Sequence, residues 1–334
     1  MKKILTVSIA AYNVQDYIEN ALKSLLVKNI DDLEILVEDD GGTDNTANIV
    51  KEYEKNYPGI VKLVHKENGG YGSTINKSIE IAQGKDFKQL DGDDWYDSEN
   101  FEKLLELLRK IDTDIVYTAF KEYKEKTGEF ELKDLFEDSV HGEYNLEDII
   151  GDKKEYLVMH TLLYKTELLK NMNLKLLEHC FYTDTQYAMY PFSRAKTIYV
   201  NHFPIYIYRV GREEQSVSLS SHIKHYEDHI KVSKEIIRFY NENINSLTKE
   251  KQDYLFNYIK IHTSNTISSF LVILDPCKKN LNILKEFDNY ILKENKKIYQ
   301  EMYSQSKIVK IIRSTKYNYL VYKVLSKIKR KKMK

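Results

Sequence analysis

The sequence contains little cysteine, proline or tryptophan, and each shortage excludes a class of structure. Its 334 residues include two cysteines, four prolines and one tryptophan. Two cysteines are too few for a disulfide framework, and Cys180 and Cys277 lack the spacing of a metal site, so a reducing compartment is the simpler interpretation. Four prolines mark no obvious linker. No apolar run approaches the roughly 18 residues of a membrane-spanning helix, so we do not expect the chain to cross a bilayer.

The remaining composition is that of a folded protein. An apolar fraction of 42% can bury a proper core, and the length suits one large domain or two ordinary ones. The apolar run at residues 4–11 is short for a signal peptide and leads directly into a helix-like segment. We therefore interpret it as a first strand.

Acidic residues are missing from the last part of the chain. Residues 303–334 contain only basic charges, although the formal net charge of the whole sequence is zero. Apolar residues recur among these cations at roughly helical spacing, as in a helix that lies on an anionic bilayer. A basic, partly frayed terminus without a lipid role is the alternative. Nucleic acid is not favoured, because no base-stacking or recognition module accompanies the charge. The apolar positions are Ile308, Ile311, Ile312, Leu320, Val321, Val324, Leu325 and Ile328.

Strand-like and helix-like segments alternate over the first 120 residues, which predicts parallel βαβ units and a doubly wound, mostly parallel α/β sheet. The predicted strands are 3–11, 33–38, 60–65, 86–90 and 113–119, and the predicted helices are 16–28, 44–56, 71–83 and 98–110. Further on, a hairpin is expected around Lys126–Gly128, and strand-like runs lie at 156–164 and 197–209. Helical patterns dominate from 222 to 291.

Three polar clusters follow these strands and should meet at one edge, because ligands collect at the carboxyl ends of parallel strands. They are Asp39–Asp44, the glycine-rich run 68–76 and the acidic cluster, which we define as Asp91, Asp93 and Asp94.

Each cluster permits both a binding role and a plain structural one. Closely spaced carboxylates suit magnesium or manganese, although solvated acidic loops are common. Asp39 and Asp40 can accept from a uracil N3–H or a ribose hydroxyl, whereas Asp44 is expected to cap the following helix. The glycine-rich run matches neither a dinucleotide-binding fingerprint nor a P-loop, and a simple loop-to-helix transition remains open.

Taken in order and spacing, these motifs resemble the family 2 glycosyltransferases of the GT-A fold. The matching pieces are Val7–Asn13, Glu34–Val37 with Asp39–Asp44, Asn68–Gly70 and Leu90–Asp94, which together cover roughly 90 residues. The resemblance implies a Rossmann-like GT-A domain with a helical C-terminal extension. We expect the catalytic domain at 1–220, divided into a nucleotide-sugar-binding half (1–120) and an acceptor-side half (121–220), then a helical region (221–302) and a basic amphipathic tail (303–334).

The resemblance also implies roles for individual residues. Asp184, in the stretch 181–186, is the expected catalytic base, and Asp93 and Asp94 are the expected ligands of Mn²⁺ or Mg²⁺, with Asp93 the direct one. Arg209 and Arg212 would neutralise the leaving diphosphate. The full set implied in nucleotide-sugar binding is Ala10, Tyr12, Asp39, Asp40, Asn68, Gly69, Gly70, Asp91, Gly92, Arg209 and Arg212.

The chain departs from the family pattern at a few positions. The usual proline before Tyr-Asn is Ala11, the usual serine after Asp-Asp-Gly is Gly42, and the usual acidic partner of the base is Thr183. Thr74-Ile75-Asn76 replaces the usual Ala-Arg-Asn. These changes leave the predicted fold intact. They bear on the identity of the donor and on the assignment of Asp184 as the catalytic base.

The implied function is transfer of one sugar, with inversion, from a nucleotide-diphosphate donor to an acceptor hydroxyl in bacterial cell-surface polysaccharide or glycan assembly. A uridine-diphosphate sugar is the favoured donor, and a glycan or lipid-linked glycan is the expected acceptor. Since Trp95 is the only tryptophan, the Gln-x-x-Arg-Trp signature of processive synthases is absent. We expect the enzyme in the cytoplasm, peripheral on the inner face of the cell membrane.

Two other functions remain open at this point. A catalytically inactive nucleotide-sugar-binding module is conceivable because Thr183 replaces an acid. A nucleotidyltransferase would need a basic loop after the first strand, and none follows Tyr12-Asn13. Separately, His222, His225 and His229 share one face of a predicted helix and resemble a metal site, with a half-exposed stripe as the plainer interpretation.

Overall fold

The structure is a computed structural model that describes residues 3–151, 156–211 and 215–332. The chain forms two compact units. Unit 1 comprises residues 1–149 and 157–211, and unit 2 comprises residues 150–156 and 212–334. Within the described ranges no helix is both long enough and apolar enough to span a bilayer.

Unit 1 is built around one large mixed sheet. Its strands are β1 (Leu5–Ala11), β2 (Leu33–Asp39), β3 (Val61–His65), β4 (Asp86–Asp91), β5 (Trp95–Tyr96), β6 (Ile115–Lys124), β7 (Glu129–Lys133), β8 (Gly142–Asn145), β9 (Leu162–Lys165) and β10 (Thr197–Val210). Its helices are α1 (Ile18–Ser24), α2 (Thr46–Asn56), α3 (Tyr71–Ile81), α4 (Ser98–Leu108), α5 (Leu146–Ile150), α6 (Thr166–Asn171) and α7 (Asp184–Met189).

The strand order is β3-β2-β1-β4-β9-β6-β10-β5. In addition, β7 pairs with β6, and β8 pairs with β10. The first four strands run parallel, as the alternation of strands and helices predicts. Beyond β4 the sheet becomes mixed, because β9 pairs antiparallel with both β4 and β6. The doubly wound α/β prediction is thus confirmed, with a parallel half that carries the predicted polar clusters.

The sequence places most of these elements within a few residues. The hairpin predicted around Lys126–Gly128 joins β6 to β7, and Gly128 has the positive φ that such a turn favours. The strand predicted at 156–164 is wrong over its first six residues. A 3₁₀ turn (Met159–Thr161) precedes β9, which begins only at Leu162.

Buried apolar side chains explain why the parallel half is stable. Every residue of β2 is buried, and so are Leu5, Val7 and Ile9 of β1. A strand covered on both faces is usually apolar throughout. Here β2 has an apolar centre, Ile35–Val37, flanked by the buried carboxylates Glu34 and Glu38.

Unit 2 is helical. It contains α8 (Leu219–Lys224), α9 (Tyr226–Asn243), α10 (Lys249–Asn265), a π-helical turn (Thr266–Leu271), α11 (Lys278–Glu294), α12 (Lys296–Gln305), α13 (Lys307–Ser314) and α14 (Tyr319–Lys332). The predicted helical extension is therefore present. α13 is held to this unit by a buried ion pair between Arg313 and Asp288 at 2.5 Å.

Candidate functional site

The carboxyl ends of the parallel strands bring the three polar clusters to one edge of unit 1. In the sheet register Ala10 lies beside Asp91 on β4, and Ala11 lies beside Asp39 on β2. Asp39 in turn lies beside His65 on β3. This is the arrangement that the order of motifs predicts.

Asp40 holds the glycine loop, which we define as Asn68–Gly70. Its carboxylate accepts from the backbone N–H groups of Gly69 and Gly70 at 2.9 Å each, and from the ammonium group of Lys66. A further hydrogen bond joins the same two segments, because the side-chain amide of Asn68 donates to the carbonyl oxygen of Asp40 at 2.9 Å. Gly70 has φ +80°, a conformation that favours glycine. Both oxygens of Asp40 thus fix the shape of the loop before α3.

Asp39 is buried and also has internal partners. It accepts from the N–H of Gly42 at 3.1 Å, and its other oxygen lies 2.7 Å from Nδ1 of His65. Nearby, Tyr12 is 54% exposed and presents its ring to solvent. Asp44 accepts from the N–H of Thr46, the first residue of α2, at 2.9 Å, whereas the N-cap residue is Asn45, which makes no side-chain cap bond.

The acidic cluster lies at the end of β4, where a close turn brings its carboxylates together. Gly92 makes the turn possible, since its N–H donates to the carbonyl oxygen of Ala10 at 2.9 Å and a Cβ there would lie 2.9 Å from the same oxygen. Burial and the neighbouring Asp93 raise the pKa of Asp91 to about 7. The same two causes raise the pKa of Asp94 well above its ordinary value. Three carboxylates here repel one another and favour a bound cation.

Asp94 is the most enclosed of the three carboxylates. It accepts from the hydroxyl of Tyr206 at 2.7 Å and from the N–H of Arg209 at 2.8 Å. The Arg209 guanidinium donates to the carbonyl oxygen of Asp93 at 3.0 Å and lies 4.8 Å from the ring centre of Trp95. Strand β10 therefore positions one cation directly against the acidic cluster.

A histidine outside the predicted motifs completes a group of metal-ligating side chains. Asp91, Asp94 and His160 offer ligand atoms that all lie within 4.8 Å of one another. Burial, followed by the charge of Lys88, lowers the pKa of His160 to about 3, so the imidazole is neutral, the form that binds metals. Its buried Nδ1 has no hydrogen-bond partner among the residues that the structure describes. These donors fit a divalent cation.

The position of His160 is set by a buried lysine. Lys88 on β4 donates to the carbonyl oxygens of His160 and Leu162 at 3.0 and 3.3 Å. Sequence reasoning missed this role, since His160 falls in a strand-like run roughly 65 residues after the acidic cluster. The one available signal was Lys88, because a lysine inside a predicted strand must find partners where it is buried.

Asp184 lies close enough to the acidic cluster to act on it electrostatically. It begins α7, and its charge raises the pKa of both Asp91 and Tyr71. Burial raises the pKa of Asp184 itself. Thr183, which stands where the family pattern has an acid, is buried. The structure thus brings the predicted base and the predicted metal site together.

Two sequence expectations concern residues outside this arrangement. Arg212 lies outside the described residues. His222 and His229 approach to 3.0 Å between ring nitrogens, but His225 pairs instead with Asp228, so in the described part of unit 2 the three histidines do not form one metal face. A second group of potential metal ligands among the described residues is Asp134, Asp138 and His202. Both ring nitrogens of His202 already have partners there, because Nδ1 contacts Asp134 and Nε2 contacts the carbonyl oxygen of Val140.

Comparison with known proteins agrees with this geometry. The family model described as Glycosyl transferase family 2 matches residues 6–172, which is half of the chain. The putative glycosyltransferase EpsH of Bacillus subtilis is 31% identical over 153 residues, covering 40% of this chain and 43% of EpsH. The putative teichuronic acid biosynthesis glycosyltransferase TuaG of the same organism is 33% identical over 119 residues, covering 36% of this chain and 47% of TuaG. The chain thus spans less than half the length of these two relatives.

Solved structures share the fold at low sequence identity. S. aureus TarS 1–349 in complex with UDP-GlcNAc superimposes with a TM-score of 0.74 at 19% identity, covering 98% of this chain and 92% of TarS 1–349. The mannosyltransferase PcManGT from Pyrobaculum calidifontis, in complex with GDP-Man and Mn²⁺, gives a TM-score of 0.53 at 14% identity, covering 98% and 87%. The fold is GT-A, and the chain belongs to glycosyltransferase family 2.

Proposed function

We propose that this family 2 glycosyltransferase is an inverting, metal-dependent enzyme that moves one sugar from a nucleotide-diphosphate donor to an acceptor hydroxyl. The proposal depends chiefly on the acidic cluster at the end of β4, where Asp91, Asp94 and His160 offer ligand atoms within 4.8 Å of one another. Asp184 is near enough to contribute, after burial and the charge of Asp93, to the raised pKa of Asp91. A base beside a site for the leaving diphosphate is sufficient for a single displacement with inversion, so no covalent nucleophile is required.

Asp184 is proposed to take the proton from the attacking hydroxyl. Burial raises its pKa, which makes the carboxylate a stronger base than an exposed aspartate. The backbone at Asp184 and Thr185, where α7 begins, counters part of that rise in pKa.

The acidic cluster is proposed to grip the departing diphosphate. Asp93 and Asp94 would hold Mn²⁺ or Mg²⁺, with Asp91 and His160 as further donors. When bound, such a cation neutralises charge that develops on the leaving group. Arg209 adds a fixed guanidinium beside Asp93, and Arg212 is proposed as a second cation.

The nucleoside is proposed to bind where β1, β2 and the glycine loop meet. Ala10, Tyr12 and Asp39 would contact the base and ribose, and the exposed ring of Tyr12 offers a face for stacking. Asp40 contributes by shaping the glycine loop, whose backbone would approach the donor closely. A UDP-sugar is favoured, and the UDP-GlcNAc complex of TarS, which shares the fold, supports this choice.

The acceptor is proposed to be a hydroxyl on a glycan or lipid-linked glycan in bacterial cell-surface polysaccharide assembly. The relative TuaG is named for teichuronic acid biosynthesis, which supports this setting. Since residues 303–334 carry only basic charges, we also propose an anionic membrane surface as their partner.

A donor panel tests the proposal. The full-length protein is incubated with UDP- and GDP-sugars, with Mn²⁺, Mg²⁺ or EDTA, and release of the nucleoside diphosphate is measured. We expect release from one UDP-sugar that stops with EDTA. Binding without turnover across donors and acceptors would favour the inactive module instead, an alternative that the buried Thr183 in place of an acid keeps open.

A further inference from the structure

Helix α14 is fixed to unit 2 by one of its faces. Tyr322 and Ser326 are buried, and the Ser326 hydroxyl donates to the carbonyl oxygen of Leu274 at 3.1 Å. One turn further, Arg330 donates to the carbonyl oxygen of Ile273 at 2.6 Å and pairs with Asp275 at 2.7 Å. These contacts set the rotation of α14 about its own axis.

The opposite face of α14 presents large apolar side chains to solvent. Leu320, Val324 and Ile328 are 69%, 56% and 51% exposed, and their spacing of four places them in one line, the α14 stripe. A contiguous exposed apolar line costs free energy in water and marks an interaction site.

A row of cations runs beside the α14 stripe. Lys323, Lys327 and Lys331 are exposed and also recur every four residues. None of the three has an ion pair within residues 3–151, 156–211 and 215–332. Since the sequence after residue 302 contains no acid, the charges that α14 itself carries are all positive. The partner of this face must be negative and must also cover apolar surface.

A cavity opens at the end of the lysine row. Its volume is about 310 Å³, and it is lined by Leu219 and Ile223 of α8 and by Lys327, Arg330 and Lys331 of α14. Two lysines without an ion pair among the described residues, beside an Arg330 that is shared with Asp275, lie over an apolar wall. This combination matches a phosphate group that is attached to a hydrocarbon. The size is that of a small ligand site, far larger than a single ion needs.

We propose that α8 and α14 form a docking surface for a bilayer of anionic phospholipid. The α14 stripe enters the boundary of the acyl chains, and the phosphate of one headgroup binds in the cavity between Lys327, Arg330 and Lys331. A nucleic acid would leave the stripe in water, and a second copy of the chain would oppose like charges. This inference specifies the surface that would bind the membrane partner named in the proposed function. It rests on the proposed function only for the biological reason to bind a membrane.

Vesicle co-sedimentation of the full-length protein tests the surface. Wild type should sediment with vesicles that contain about one third phosphatidylglycerol, should not sediment with phosphatidylcholine alone, and should be released by salt. Lys327→Gln with Lys331→Gln should lower the partition coefficient by about 25-fold, at about fivefold per lysine. Serine at all three positions of the α14 stripe should lower it at least tenfold.

Matched variants separate this surface from general charge and hydrophobicity. Lys51→Gln with Lys55→Gln removes two exposed lysines at the same spacing on α2 and should bind vesicles as wild type does. Equal losses in both lysine pairs, or equal binding to neutral vesicles, would overturn the proposal. So would a dimer in sedimentation velocity that serine in the α14 stripe abolishes while vesicle binding persists.

The test is independent of catalysis. Asp184→Asn should sediment with phosphatidylglycerol vesicles as wild type does, and Lys327→Gln with Lys331→Gln should retain wild-type donor hydrolysis in detergent-free buffer. An inactive protein that still binds vesicles would contradict only the proposed transfer reaction. An active protein that ignores them would contradict only the docking surface.

Discussion

The hydroxyl of Tyr71 donates a hydrogen bond to Oδ1 of Asp91 at 2.7 Å. Tyr71 is the first residue of α3, directly after the glycine loop, and Asp91 is the last residue of β4. The glycine loop is itself held by Asp40 at the end of β2. A chain of contacts thus joins the proposed nucleoside site to the proposed metal site.

Tyr71→Phe should weaken metal binding without unfolding the enzyme. The lost hydroxyl no longer orients the Asp91 carboxylate, and losing a partner of this kind commonly costs about tenfold or more in metal affinity or activity. We expect half-maximal donor hydrolysis to need about tenfold more Mn²⁺. The control is Tyr53→Phe, which removes a hydroxyl that donates to Glu19 far from the site. Identical Mn²⁺ curves for Tyr71→Phe and wild type would contradict this link.

Asp93→Asn should abolish transfer while leaving the protein at least as stable. Its charge contributes, after burial, to the raised pKa of Asp91 and of Asp94, so its removal relieves repulsion. Because Asp93 is the proposed direct metal ligand, however, its replacement should lower turnover by about 100-fold or more. Donor hydrolysis and urea unfolding are measured together, with Asp31→Asn as an exposed control. Wild-type activity in Asp93→Asn would refute the metal assignment.

The parallel half of the sheet could be predicted because its sequence follows simple rules. Buried strands such as Leu33–Asp39 have a short apolar centre of β-branched and aliphatic residues, and polar residues after each strand must meet at one edge. The mixed half obeys no such rule, since β9 is four residues long and pairs with strands that are distant in sequence. The strand predicted at 156–164 failed for this reason.

Which side chains contact one another within the site likewise depends on the tertiary structure and cannot be read from the sequence. The sequence identifies Asp40 as a polar residue at a strand end, but its contacts with Gly69 and Gly70 span about 30 residues of chain. His160 and Tyr206 reach the acidic cluster from the 3₁₀ turn before β9 and from β10, and neither belongs to a motif. Residue type and order therefore predicted where the site lies, and packing decided which groups face one another.

The histidines of unit 2 should make stability fall in acid. Burial, followed by the charges of His262, His222 and His225, lowers the pKa of His229 to about 2. Since unfolded histidine titrates near 6.5, the unfolded chain binds a proton that the folded chain excludes between these values. Each pH unit below about 6.5 then costs about 1.4 kcal/mol from this residue.

His229→Gln should remove that dependence. At pH 8 the variant should be less stable, because the imidazole stacks on Phe270 with 3.6 Å between ring centres. By pH 5 the difference in free energy of unfolding between the variant and wild type should narrow by about 2 kcal/mol. Urea unfolding followed by far-UV circular dichroism measures it, with the exposed His141→Gln as control. A gap that stays constant with pH would show that His229 is protonated in the folded protein.

Asp184→Asn should separate chemistry from binding. The amide keeps the size of the carboxylate but cannot take the acceptor's proton, so kcat should fall by about 100-fold to 10,000-fold. The dissociation constant of the donor, measured by calorimetry, should not change, because the diphosphate is held by the acidic cluster and Arg209. Since burial raises the pKa of Asp184, wild-type kcat should decline as the pH is lowered through that raised value. Glu99→Gln, another acid in the first turn of a helix, should keep wild-type kcat. Loss of donor binding in Asp184→Asn would mean that the residue holds the donor and that the base lies elsewhere.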